Sequence, residues 1–179
     1  MNKKISLNNI SFNFLKGSSE FLNLVLNNIS SCILLLDKNM ELQAFNDVMV
    51  SIFSSRKEED LLYVRCGEAL GCAYNVDEMK NCGATSYCNS CSLRESALIS
   101  YYENKPIFKD KISREFYMQD GKKTLKYLQF STRCFKFNNE RYIIMIIDDI
   151  TRLMEIERKT TTPRKEIQIK AINRNQLKK

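Results

Sequence analysis

The segment FKDKISREFYMQDGKKTLKYLQFSTRCFKFNNERYIIMIIDDIT, residues 108–151, reads as three consecutive strands and decides the fold. Asp120-Gly121 divides the first two, a strong two-residue hairpin signal because both residue types tolerate positive φ. In the second run Leu128, Phe130, Thr132 and Cys134 alternate with polar neighbours, which buries one face. Phe137-Asn138-Asn139-Glu140 then turns the chain into RYIIMIIDD, whose unbroken apolar run predicts a central strand covered on both faces. ITRLMEIERK follows as a helix leaving the sheet, interrupted by TTTP at Pro163.

Upstream, SLRESALISYYEN has Ser92 and Glu95 at capping-box spacing, so a helix should begin just after Cys91 and end before Pro106. CILLLD (32–37) and ELQAFN (41–46) form a hairpin about Asp37-Lys38-Asn39. Asp47 to Ser55 reads as a short helix with Val48, Met49, Ile52 and Phe53 on one side, ended by the charged loop RKEED. Ser18-Ser19-Glu20 caps a further helix, whose Phe21, Leu22, Val25, Leu26 and Ile29 form an apolar stripe suited to packing. The expected architecture is α+β: a five-stranded antiparallel sheet with helices on one face, a cysteine-rich loop and a C-terminal exit helix. It divides into an N-terminal extension (1–19), one domain (20–151) and a basic exit helix and tail (152–179).

Into this scaffold is set RCGEALGCAYNVDEMKNCGATSYCNSCSLRESAL, residues 65–98. Five of the seven cysteines fall between positions 66 and 91: Cys66, Cys72, Cys82, Cys88 and Cys91. Thiolates gather to share a metal or cluster, or to exchange disulfides. Cys32 and Cys134 lie alone on strands and read as buried, inert thiols. No secretory leader or membrane-length apolar run is visible, which places the chain in a reducing cytoplasm, where clustered cysteines favour metal or redox roles. The chain has no histidine, which excludes Ser-His-Asp and Cys-His catalysis, mixed Cys/His zinc sites, His-ligated haem and a phosphoacceptor histidine. The net charge of +7 is concentrated at the end, where residues 152–179 carry nine Lys/Arg against three Asp/Glu. Such a tail is a solvated end or a contact for nucleic acid or an acidic partner.

The strand order, the hairpin turns and the exit DDIT (148–151) resemble a PAS domain over roughly residues 20–160. RCGEALGC, NCG and CNSCSLRESAL further resemble a PAS subgroup with a cysteine-rich insertion, found ahead of bacterial histidine kinases and other outputs. That subgroup has R-x-G-x-x-x-x-C, then C-G, then C-x-x-C-x-x-R. On those matches Cys72, Cys82, Cys88 and Cys91 carry over as the metal-binding set, with Cys66, at the variable position after the arginine, as an additional candidate. Arg65, Glu68 and Arg94 fit the same pattern and are expected to order the loop by salt bridges.

The core spacing C-x9-C-x5-C-x2-C serves either a 4Fe–4S cluster or tetrahedral zinc, and a metal-free thiol switch stays open. The single CxxC pair leans toward the cluster, since structural zinc usually takes two such pairs. Four thiolates leave no open coordination position, so no enzyme is expected. The resemblance implies a sensory, signal-transducing module that dimerises through the PAS domain or contacts a signalling protein such as a histidine kinase. The alternative is a zinc-stapled transcriptional regulator that binds nucleic acid through its basic tail. Asp148 and Asp149 are expected to cap the exit helix, and Tyr101, Tyr102, Phe116 and Tyr127 to pack in the core or on the sheet.

Overall fold

The computed structural model describes residues 19–53 and 61–160. Most of the N-terminal extension, the RKEED loop, Pro163 and the tail beyond residue 160 lie outside the described residues. The elements are α1 (Ser19–Asn28), β1 (Cys32–Leu36), β2 (Leu42–Phe45), α2 (Val48–Ile52), α3 (Cys66–Ala69) and α4 (Ala73–Glu78), then α5 (Ser92–Glu103), β3 (Ile107–Tyr117), β4 (Lys123–Phe137) and β5 (Glu140–Asp149). A last helix, α6, spans 151–160.

The five strands form one antiparallel sheet in the order β2-β1-β5-β4-β3. Register builds its inner face in rows: Leu36, Ile143 and Cys134; Leu34, Met145 and Thr132; Cys32, Ile147 and Phe130. All nine are buried, Cys32 and Cys134 among them as the sequence implies. Each large apolar side chain so buried contributes about 1.5–3 kcal/mol.

β5 is central, but it is not covered on both faces. Ile143, Met145 and Ile147 are buried while Ile144 and Ile146 are half-buried, because the packed helices shield a single side of the sheet. The α1 stripe departs further from expectation. Leu22, Val25 and Ile29 are exposed, and only Phe21 and Leu26 are half-buried. α1 is held instead by buried Asn46, whose amide donates to the carbonyls of Leu26 and Ser31 while its Oδ1 accepts from the Ile33 amide.

Both turns of the β3–β5 meander differ in kind from their simplest reading. Asp120-Gly121 is part of a longer turn: the Gly121 amide donates to Met118 O and the Met118 amide to Lys122 O. Gly121 takes the left-handed position at φ +74, the geometry of a three-residue loop with a bulge. The two-residue turn is Asn138-Asn139, both left-handed at φ 48 and 64. α5 starts where expected, but Cys91 is its N-cap and Ser92 its first residue, so Ser92 and Glu95 make no capping box. Its inward Ser96 and Ser100 dock on β4 through buried Thr132, whose hydroxyl lies 2.7 Å from Ser100 Oγ and donates to Ser96 O.

Asp149 caps α6, accepting from the Thr151 amide (2.9 Å) and hydroxyl (2.5 Å), and it pairs with Lys126 at 2.6 Å. Asp148 is engaged elsewhere, by Ser31 and Gln129. Burial opposes ionisation of Asp149, but Lys126 and Thr151 outweigh it and hold the carboxyl below the usual range. A depressed carboxylate stabilises the fold above its unfolded value near 3.9 and loses that contribution as pH falls through the folded value. Asp149→Asn should therefore cost about 1–2 kcal/mol at neutral pH, a deficit that shrinks in acid below about pH 4. Urea unfolding of both proteins across that range checks it.

Candidate metal centre

The cysteine segment lies against the inner sheet face, between the β1–β2 hairpin and β3. Three backbone devices place it. Leu42 and Cys66 donate to the carbonyls of Val64 and Met40. Tyr117 and Gly71 join through a 2.8 Å amide–carbonyl bond that sets Cys72 opposite Phe116. Gly71 is left-handed at φ +72, and a Cβ there would stand 2.8 Å from Tyr117 O, so this crossing demands glycine.

Arg65 and Glu68 order the loop as expected, though through the backbone rather than as a salt bridge. Arg65 Nη1 donates to Cys82 O at 2.6 Å, and Glu68 accepts from the amides of Cys82 and Arg65 at 3.0 and 3.1 Å. Farther along, Glu78 gathers Lys80 and both donors of Ser86.

This framework brings Cys66, Cys72, Cys82, Cys88 and Cys91 to the wall of one cavity of about 40 Å³, whose floor includes Leu36, Phe116 and Met145. All seven cysteines are free thiols. Cys82 Sγ rests over Gly67, where an added Cβ would lie 2.8 Å from that sulfur and 2.8 Å from Asn75 Oδ1. Cys88 Sγ accepts from the Gly83 amide at 3.0 Å and lies 2.9 Å from Thr85 Oγ1. Gly67→Ala sets a helix-propensity gain of about 1 kcal/mol against this overlap, so stability should change little. If the cavity holds metal, its retention should fall sharply, because Cys82 is displaced. Metal content and a denaturant curve on the same variant separate the two effects.

The thiols are unequal. Burial, then the neighbouring Cys82, Cys91, Cys32 and Cys72, push Cys66 well above its ordinary value. Burial raises Cys82 to about 11, against a hydrogen bond from Gly67 and with Cys88, Cys91 and Cys72 adding to the rise. Cys72 is raised by burial, offset in part by the amides of Tyr74 and Asn75 and by Arg114. At Cys88 burial works the same way, but Thr85, Gly83 and Arg94 outweigh it and the thiol is lowered.

A cation at the centre would favour all of these thiolates together. Tetrahedral zinc needs four sulfurs about 2.3 Å from one point. Among the described residues no three Cys, Asp or Glu side chains are gathered closely enough for a single ion. A cluster would spread its thiolates over separate irons. The present volume holds only a few waters. Five cysteines on one cavity wall are the donor chemistry that a thiolate-held inorganic centre would use.

Sequence reasoning missed Arg114, Tyr74 and Tyr87, which share the cavity wall. Arg114 is buried at 6% exposure, its guanidinium 3.9 Å from the Tyr87 ring centre, and Tyr87 stacks on Tyr74 at 4.7 Å. The signal was present: Ile112, Arg114 and Phe116 share one strand face, so a cation stands at an inward position. Of the four aromatics expected to pack, Phe116 is buried against Phe53 and Tyr101 is half-buried beneath Arg141. Tyr127, half-buried on the sheet, bonds Arg158, and Tyr102 is exposed at 70%.

The sheet order, the helices on its inner face and the helix leaving β5 define the PAS fold. Solved structures agree. The PAS domain of an HTR-like protein from Haloarcula marismortui superposes with a TM-score of 0.52 at 15% identity, covering 76% of this chain and 95% of that one. The PAS domain of Bordetella pertussis BvgS gives 0.50 at 20% identity, with 82% and 96% covered. An RNA-binding Light-Oxygen-Voltage receptor gives 0.53 at 11% identity, covering 93% of this chain and 42% of that one. At these identities the likeness establishes the fold. No family model matches the sequence, and no curated protein matches it. Among the described residues no helix is long and apolar enough to cross a membrane.

Proposed function

We propose that the chain is a non-enzymatic sensory module whose cysteine cavity holds an inorganic centre, an iron–sulfur cluster in preference to zinc. The observation that carries this reading is the convergence of five cysteines, spread over residues 66–91, on one cavity against the sheet. Cys72, Cys82, Cys88 and Cys91 would hold the centre, with Cys66 at the buried end as a spare thiol. When bound, a cluster supplies an oxidation-sensitive group whose charge changes with redox state.

The protein's own parts carry the signal from there. Cys72 is paired through its backbone to Phe116 on β3, and β3 pairs along β4, whose Tyr127 holds Thr151 and Ile150 at the start of α6. A shift of the cysteine loop therefore has a continuous route to the exit helix. Exposed Leu153 and Ile156 on α6, and Leu22 and Leu24 on α1, offer apolar surface for a second copy or a signalling partner such as a histidine kinase.

Elemental analysis and an optical spectrum of anaerobically purified full-length protein test the reading. Iron, sulfide and broad visible absorption are expected. Colourless protein with stoichiometric zinc makes the centre a structural staple, and protein without metal after reconstitution overturns the proposal. Nucleic-acid binding through the basic tail is the second reading, favoured by one point: an RNA-binding receptor shares the fold. It requires affinity that falls steeply with salt and disappears on truncation after Arg158.

A further inference from the structure

Arg114 is the least expected residue in the cavity wall. A guanidinium cannot shed its charge, so burying one without an anion is costly. Arg114 lies 94% out of solvent and forms no salt bridge with any described carboxylate; the four described ion pairs all use lysines on other surfaces. Tyr87 covers one face of the guanidinium. That stacking leaves the N–H edge as the polar part available to the cavity. Arg94 is the second cation of the wall, at the start of α5, with Nη2 and Nε packed over Gly83 beside Cys88. Among the described residues no Asp or Glu lines the cavity. Arg65 and Glu68 are both bound to the Cys82 backbone behind it, and their charges offset one another.

From the described residues the cavity thus carries two guanidinium groups and, with its thiols protonated, no anion. Four thiolates around a divalent zinc ion, or around a cluster core of the same charge, are together dianionic. We propose that Arg114, with Arg94 at the rim, is the built-in counter-cation pair of a dianionic four-thiolate centre, so that the cavity is electrically complete only when loaded. This rests on the reading that the cysteines hold metal and adds the residues that balance its charge. It also accounts for a fifth cysteine that need not bind, because a fifth thiolate would exceed the two positive charges available.

Two consequences follow from electrostatics in a site screened from water. Loading the cavity exchanges thiol protons for a net negative complex, so a neighbouring cation tightens metal retention at fixed pH. Adding an electron to an already anionic cluster is easier beside a cation, so removing the cation lowers the midpoint potential.

The test uses full-length wild type, Arg114→Met, Arg114→Lys and Arg94→Met, loaded anaerobically with iron and sulfide, or with zinc if that is what the wild type holds. Each is challenged with increasing chelator, with a circular dichroism spectrum as the folding control. Arg114→Met is expected to lose metal at a tenfold lower chelator concentration, and Arg114→Lys to stay within about threefold of wild type. If the centre is a cluster, the Arg114→Met midpoint should fall by about 59 mV, the equivalent of tenfold for one electron. Arg94→Met should move both readings the same way by a smaller amount, and it carries the test if Arg114→Met does not fold. Wild-type retention and potential in folded Arg114→Met overturn the counter-cation role while leaving the metal reading intact. Equal losses in Arg114→Met and Arg114→Lys overturn it too, since shape rather than charge would then matter. A wild type that takes up neither iron–sulfur nor zinc overturns the metal reading itself, and this inference with it.

Discussion

Cys82→Ser is expected to abolish metal content while the sheet stays folded. A serine hydroxyl is not ionised near neutral pH and is a poor substitute for a thiolate on a soft metal. The lost atom is packed closely on the cavity wall, since Cys82 Sγ is the group that Gly67 makes room for. The backbone of Cys82 is held independently, by Arg65 at its carbonyl and Glu68 at its amide, so the loop keeps its anchor when the sulfur goes. If iron is the metal, stability should fall by only the linkage contribution of the missing ligand. Cys134→Ser is the matched control: Cys134 is buried on β4 and does not line the cavity, so its variant should retain full metal. Metal per chain, measured on the three proteins side by side, decides the matter. Wild-type content in Cys82→Ser would remove that residue from the ligand set.

Phe116→Ala should produce the largest loss of stability of any single change considered, about 3–5 kcal/mol. The ring is 1% exposed, meets Phe53 edge-on at 5.0 Å and forms part of the cavity floor. Its removal leaves a void beside the cavity at the point where β3 is tied to the α3–α4 segment by the Tyr117–Gly71 bond. The same change loosens Cys72, which faces Phe116 across an isolated bridge, so metal retention should weaken along with the fold. Tyr102→Ala, at a site 70% exposed, should shift stability by no more than about 0.5 kcal/mol. A denaturant midpoint for Phe116→Ala lowered without change in slope is the expected result. A loss below about 1 kcal/mol would mean that the β3–cavity junction is not part of the cooperative core.

Much of the scaffold was legible because it depends on short-range regularity. The alternation Leu128, Phe130, Thr132, Cys134 gave the inward face of β4 correctly, since strand periodicity of two leaves no choice once one face is buried. Runs without alternation were less informative. Ile143 to Ile147 look alike in sequence, and only the layer packed against them separates Met145, fully buried, from Ile144 and Ile146. α1 shows the converse: its stripe has helical spacing, yet Leu22, Val25 and Ile29 stay exposed because no described element is packed over them.

By itself the sequence determined the strands, where the turns between them fall, the five clustered cysteines and the absence of histidine, all of which follow from residue type and local spacing. Only the tertiary structure decided that those cysteines share one cavity, that Gly67 yields space to Cys82, and that Arg114 points inward beside them. Those are contacts between α3, the Cys82–Cys91 loop and β3, segments separated by up to tens of residues. Distances of that kind are fixed by how a sheet and its covering loops pack, and no local pattern encodes them.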